Sequence, residues 1–255
     1  MGFFSKLFKS KTSSGYSSNR NDAVTSNIQR LKEKLFRPAT KLVAGGFRPT
    51  EEKDESWLGK VFLFKKDEEI PTDENGDLML PLAQLYLPAL PYCHPLLQET
   101  KLITLFVSPS LPAEFEKMGK NWVLREYNNL EELHKMDFDH SDSFLNPFPL
   151  KAELIKEDYP LWDCHEIYDF QDEIIKMEYS GEIESYFDVT EHSYGHKIGG
   201  FPSYCQPGID FGDNYEFIFQ ISSDPKINLN VVDSGSLMFA KNGKTGDWVV
   251  YYDFY

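Results

Sequence analysis

A chain of 255 residues that is 41% hydrophobic and holds 20 Phe, 14 Tyr and 4 Trp can bury a large core, which excludes disorder over most of its length. The net charge of −15 is unevenly spread: residues 1–48 carry ten Lys and Arg against two acids, a balance of +8 that leaves −23 for the remainder, and a body this acidic repels nucleic acid. No apolar run reaches the length of a membrane-spanning helix. Cys93, Cys164 and Cys205 are too few for a disulfide framework and lack metal-motif spacing, which reads as reduced thiols in a cytoplasmic protein.

In chain order, MGFFSKLFKSK comes first, basic and apolar but without a signal-peptide core behind it. Phe3, Phe4, Leu7 and Phe8, beside Lys6, Lys9 and Lys11, could dip into a lipid interface at the inner face of the membrane. The plainer reading is a flexible leader over residues 1–20, because KTSSGYSSNRND has the composition of a linker. A helix is predicted from Asn21 or Asp22, with Val24, Ile28, Leu31 and Leu35 on one stripe, and Pro38 ends it. The texture then turns to strands: KVFLF, DLMLPLAQLYL, KLITLFV and NWVLREY, with DENGD at 73–77 as a turn. SLPAEFEKMG, from Ser110, predicts a brief capped helix, and residues 162–178 a longer one with Ile167, Phe170 and Ile174 on its stripe. Strands return in YEFIFQIS, GSLMFAK and DWVVYYDFY.

A repeat links the two strand-rich parts. AGGF (44–47), PLAQLYL, LITLFVS and NWVLREY run parallel in order to IGGF (198–201), FIFQISS, GSLMFAK and DWVVYYD. The expected fold is α+β and strand-rich, with internally duplicated antiparallel sheet units around a shared core. Residues 21–255 form a single domain of two repeats, about 40–130 and 195–255, joined by a helical connection at about 131–190. Gln84 and Gln220 interrupt apolar runs. Each either hydrogen-bonds the backbone of a neighbouring Gly-Gly turn or lines a groove between the halves, and the structural role is the plainer one.

HSYGHKIGGFPSYCQ, residues 192–206, is the densest collection of chemistry. His192 and His196 are four apart, yet Tyr194-Gly195 and Gly199-Gly200 argue against a shared helix face, and no HExxH glutamate is present. No metal and no cofactor is called for. Cys205 near either histidine lacks a helix start to activate it, and GHKIGG is not a dinucleotide-binding GxGxxG. Gly199, Gly200 and Pro202 read as a sharp turn, with His196 fixing it through a backbone carbonyl and Gln206 beside it, on the rim of a groove.

HKIGGFPSYCQ, FIFQIS, GSLMF and DWVVYYD together resemble the YwqG-like family, the DUF1963 proteins. The matching residues are His196, Gly199, Gly200, Phe201, Pro202, Gln206, Gln220 and Ile221, with Gly45, Gly46, Pro81, Leu82, Gln84, Leu105 and Phe106 in the first half. The first half departs more from the family pattern: GGFRP sets Pro49 one residue late, and Trp57 stands alone in SWLG. The resemblance implies a duplicated, mostly β protein without an established reaction. It also implies kinship with immunity proteins found beside bacterial toxins.

Three functions follow as expectations. The first is a protein-binding module, an immunity protein for a basic toxin being one form of it. The second is an enzyme with a groove near His196, and the third a membrane adaptor held by MGFFSKLFK. The oligomeric state is not legible.

Overall fold

A computed structural model describes residues 14–110, 112–113, 115–137 and 142–254. Phe3, Phe4, Leu7 and Phe8 lie outside these, as does most of the leader. The fold is α+β and rich in strand. Three helices, α1 (Ser14–Leu35), α2 (Tyr168–Ser180) and α3 (Tyr186–Val189), accompany thirteen short to medium strands among the described residues.

Eleven strands form one antiparallel sheet. At its centre β1 (Arg37–Ala44) pairs with β9 (Phe148–Asp158). On one side β1 pairs with β10 (Lys197–Gly199), followed by β11 (Tyr215–Ser222), β12 (Ser236–Asn242), β13 (Trp248–Asp253) and β6 (Glu116–Lys117). On the other side β9 pairs with β2 (Trp57–Leu58), followed by β4 (Leu80–Tyr86), β5 (Leu102–Val107) and β7 (Trp122–Tyr127). A separate ribbon joins β3 (Leu63–Phe64) to β8 (His134–Lys135).

The two edges of the large sheet belong to β6 and β7, which are neighbours in sequence. From Lys117 to Trp122 the chain can span at most roughly 18 Å. A flat sheet of eleven strands would hold its edges roughly 48 Å apart. The sheet must therefore curl until its ends meet. Across the seam Trp122 packs on Phe239, with ring centroids 5.6 Å apart. Glu126 of β7 takes Lys241 of β12 and the Trp248 indole N–H of β13, all at 2.8 Å. Inside the curl lies one core to which both arms contribute, from Leu82, Leu105 and Trp122 to Phe219, Phe239 and Val250.

The helices form a smaller second core. Leu31 and Leu35 of α1 pack with Ile174 and Met177 of α2, around Tyr159 and Tyr186. The predicted stripe is the buried face, but α1 begins at Ser14, ahead of the Asn21 expected. Its first turns carry no apolar period, so periodicity does not register them. The second helix begins at Tyr168, after a 3-10 turn over His165–Ile167.

Two further expectations are corrected. Within SLPAEFEKMG the described residues form no helix; Glu116–Lys117 is the edge strand on β13, and Phe115, at φ 54°, stacks on Tyr251. The residues 148–158, expected in a helical connection, form β9, an eleven-residue central strand. Its KAELIKE stretch is made of good helix formers, and the pairing it finds with β1 overrides that preference.

The strand registers repeat. Trp57, Gln84, Thr104 and Arg125 lie in one row across β2, β4, β5 and β7. Lys197, Gln220, Met238 and Tyr251 lie in the corresponding row across β10, β11, β12 and β13. In these rows Gly199 corresponds to Gly59 of SWLG. The sequence alignment of IGGF with AGGF is displaced: Gly45 and Gly46 close β1 instead.

Candidate functional site

The HSYGHKIGGFPSYCQ stretch wraps round the end of β9. After the three residues of β10 the chain reverses through Gly199 and Gly200, at φ +80° and +68°. A Cβ on Gly199 would lie 2.3 Å from the Tyr92 ring, and one on Gly200 would lie 2.1 Å from Asp158 Oδ2. Glycine is required at both positions, by backbone conformation and by space.

The space is taken by a buried charge. Asp158 and Lys197 are both fully buried, with Lys197 Nζ donating to Asp158 Oδ2 at 2.8 Å. Asp158 Oδ2 also accepts the Phe201 N–H at 2.9 Å, and its Oδ1 the Ser193 N–H at 2.7 Å. Lys197 gives a second bond to the Ser193 carbonyl. Burial pulls the Lys197 ammonium below the usual lysine range, and the Asp158 carboxylate opposes that pull. Carboxylate, ammonium and two N–H groups thus pin both sides of the turn.

His192 lies against this pair. Its Nδ1 is 2.7 Å from the Tyr159 carbonyl, so Nδ1 carries the proton. Its Nε2 then accepts from the Ser203 hydroxyl at 2.8 Å. Burial, with Lys197 beside it, pulls the His192 pKa down to about 4, against the opposing Asp158. Ser203 Oγ in turn accepts from Gln220 Nε2 at 2.9 Å.

The two glutamines have matching roles. Gln220 is fully buried; its Oε1 accepts the Ser203 N–H at 3.0 Å and its Nε2 donates to the Gly195 carbonyl at 2.8 Å. Gln84, equally buried, accepts the Phe62 and Leu63 N–H groups at 3.1 Å and donates to the Glu55 carbonyl at 3.3 Å. Each clamps the turn that precedes its strand. For Gln84 that turn is at Gly59, not at Gly45-Gly46. The glutamines share no groove: both side chains are fully buried, and five strand steps lie between them along the curled sheet.

His196 faces elsewhere. Its Nδ1 accepts the Ser222 N–H at 3.1 Å, and its Nε2 donates to Asp224 Oδ2 at 3.3 Å. It therefore fixes β11 through a backbone N–H, not through the carbonyl expected, and it serves a different network from His192. Gln206 is exposed, and its backbone N–H, with that of Cys205, donates to Asp253. Cys93, Cys164 and Cys205 form no disulfide, and burial pushes the Cys164 thiol up to about 12.

Gly200 and Pro202 do line a cleft, of about 440 Å³. Its walls are Arg37 at the start of β1, Tyr92 and His94 between β4 and β5, His165 and Glu166, and Tyr204, Asp210, Phe211, Tyr215, Glu216 and Phe217. Arg37 lies 4.2 Å over the Phe201 ring and 3.5 Å from Glu166. Burial pulls His94 below the usual histidine range, leaving it neutral near pH 7, with Glu216 3.6 Å away. Three carboxylates thus stand against one guanidinium among aromatic walls.

Of the seven groove candidates read from the sequence, His196, Gly199, Gly200, Pro202, Gln206, Gln84 and Gln220, only Gly200 and Pro202 line this cleft. Sequence reasoning missed Asp158, Lys197 and Ser203. Lys197 left one trace, a lone lysine between a histidine and an Ile-Gly-Gly step. Asp158 left none, being 39 positions away along the chain.

Residues 56–242 match the family model described as a domain of unknown function, DUF1963. No curated protein matches the chain. The match runs from the Trp57 strand to the end of β12 and takes in both glutamine clamps and the pinned turn, and on it this chain belongs to the DUF1963, YwqG-like family.

Proposed function

We propose that this chain is a protein-binding module that receives a basic side chain of its partner in the Glu166–Asp210–Glu216 cleft. The observation that carries the reading is the composition of the cleft, three carboxylates and one guanidinium set among Tyr92, Tyr204, Phe211 and Tyr215. Aromatic faces and carboxylates together favour a cation that sheds water on entry. The excess of acids outside residues 1–48 favours the same partner at long range. An immunity protein that covers a basic toxin domain is one form of this reading.

The test is affinity capture from the native organism, comparing three proteins. These are the natural chain, the cleft variant Asp210→Lys/Glu216→Lys, and the control Asp67→Lys/Glu69→Lys at exposed sites elsewhere. A stoichiometric basic partner held by the first and third, and weakened at least tenfold by the cleft variant, is the expected outcome. A partner retained equally by all three, or an acidic one, would overturn the reading.

We also infer that the two arms descend from one duplicated unit with exchanged first strands. The matched rows support this, as do the two clamps, each of which accepts an N–H six positions after the Trp57 or Lys197 facing it. On this reading the dyad that relates β1 to β9 falls at Val43–Lys151, with Lys41 facing Glu153 and the Gly45 N–H donating to Pro149 on either side of it.

A further inference from the structure

A second cavity, of about 220 Å³, shares no lining residue with the acidic cleft. Ser203 lines it, together with Tyr194, Ser222, Ser234 and Ser236. No charged side chain lines it. The Ser203 hydroxyl donates to His192 Nε2 at 2.8 Å, and His192 is held in that tautomer by the Tyr159 carbonyl at 2.7 Å. A hydroxyl, a base within hydrogen-bond reach and a third group orienting the base are the three parts of an activated nucleophile.

The surroundings extend the pattern. Asp158 Oδ1 lies 3.9 Å from His192 Nδ1, where its charge favours the imidazolium that forms as the hydroxyl proton is taken. Lys197, with Nζ 3.5 Å from His192 Nε2, opposes this and keeps the resting imidazole unprotonated. Gln220 Nε2 holds the Ser203 oxygen from a third direction at 2.9 Å. Ser222 and Ser236 share a hydrogen bond of 2.7 Å, and the accepting hydroxyl of that pair has a proton to offer a developing oxyanion.

We propose that Ser203 is a nucleophile with His192 as its base, and that this cavity takes a small, uncharged acyl ester. Ser203 Oγ bonds to the carbonyl carbon while His192 Nε2 takes its proton. That proton passes to the leaving alkoxide oxygen as its bond to carbon breaks, leaving an acyl-serine. A water molecule, deprotonated by His192, attacks the acyl carbon; the carboxylic acid departs and the proton returns to Ser203. The uncharged lining and small volume select short acyl groups. Because burial holds His192 near 4, the base is free from mildly acidic pH upward.

The test uses the full chain with two probes, a fluorophosphonate and p-nitrophenyl acetate. Intact mass and peptide mapping locate any adduct, and near-UV circular dichroism verifies the fold of each variant. The expected result is one adduct per chain, on Ser203, with one equivalent of p-nitrophenol released in a burst. Ser203→Ala abolishes the adduct, and His192→Gln slows its formation at least a hundredfold. The adduct rate rises with pH through about 4 and then levels. A folded wild-type protein that gives no adduct at pH 7–8, or one mapped to Cys205 or another residue, would overturn the proposal. Because the label is read on the natural chain, a variant that fails to fold does not obscure the answer.

Discussion

Asp158, Lys197 and His192 show what burial does to ionisable side chains in this protein. The ion pair keeps its charge inside by gathering donors and acceptors. Ser193 and Phe201 give N–H groups to the carboxylate, and the ammonium reaches the Ser193 carbonyl. His192 instead stays neutral, its folded pKa near 4 against about 6.5 for a free histidine. The unfolded chain therefore binds more protons between these values, so stability falls as pH drops through that window. From pH 7 to pH 5 His192 alone removes roughly 2 kcal/mol, and His196 and His94, also lowered, add in the same direction. Urea denaturation at the two pH values should give a clearly lower midpoint at pH 5. An unchanged midpoint would mean that the imidazole is not buried in its neutral form. At this scale the sequence was legible where one residue type broke a pattern. Gln84 and Gln220, set in apolar runs, were readable as clamps because a buried amide must find partners. Asp158 was not, because an aspartate in a run of charges looks solvated whatever it touches.

At the scale of elements, one carboxylate ties the two arms together across the seam of the curled sheet. Glu126 of β7 accepts from Lys241 and Trp248 of the opposite arm, and from the Thr100 hydroxyl at 2.6 Å. Burial would raise its pKa, but the hydrogen bonds from Lys241, Thr100 and Trp248 outweigh burial and hold it below the usual range. Glu126→Ala leaves the Trp248 indole N–H without its acceptor and Lys241 with only the Leu96 carbonyl at 3.3 Å, costing about 2–4 kcal/mol. Glu126→Gln keeps an acceptor for Trp248 and loses less. Equilibrium denaturation of both variants checks the order, and equal losses would mean that the seam does not rest on this charge. Strands with apolar runs, such as LITLFV and FIFQIS, were legible one by one. β9 was not, since half of it faces outward and its charges mimic a helix. Nor was β6, two residues long and defined only by the Val249 and Val250 it meets.

In the whole molecule β1 and β9 pair at the centre of the sheet and join its two arms, and the proposed strand exchange sets a condition on its halves. The order of elements along the chain suggested a repeat, but only spatial pairing shows that β1 lies beside β10 while β9 lies beside β2. Sequence carries periodicity within a strand and says little about which partner lies 100 or more residues away. A fragment of residues 145–255 keeps β9 to β13 and lacks β1, so β9 and β10 are each left with an unpaired edge where β1 stood. Open edges recruit further strands. If β1 and β9 are exchanged first strands of one duplicated unit, as proposed, the β9 of a second copy is the natural replacement, lying beside β10 of the first and antiparallel to its β9. The soluble fragment should therefore sediment as a dimer at micromolar concentration. Adding an excess of a peptide spanning residues 36–46 should return it to a monomer by filling the same place. A fragment that is folded and monomeric without the peptide would show that each arm closes by itself, and would argue against descent from a strand-exchanged pair.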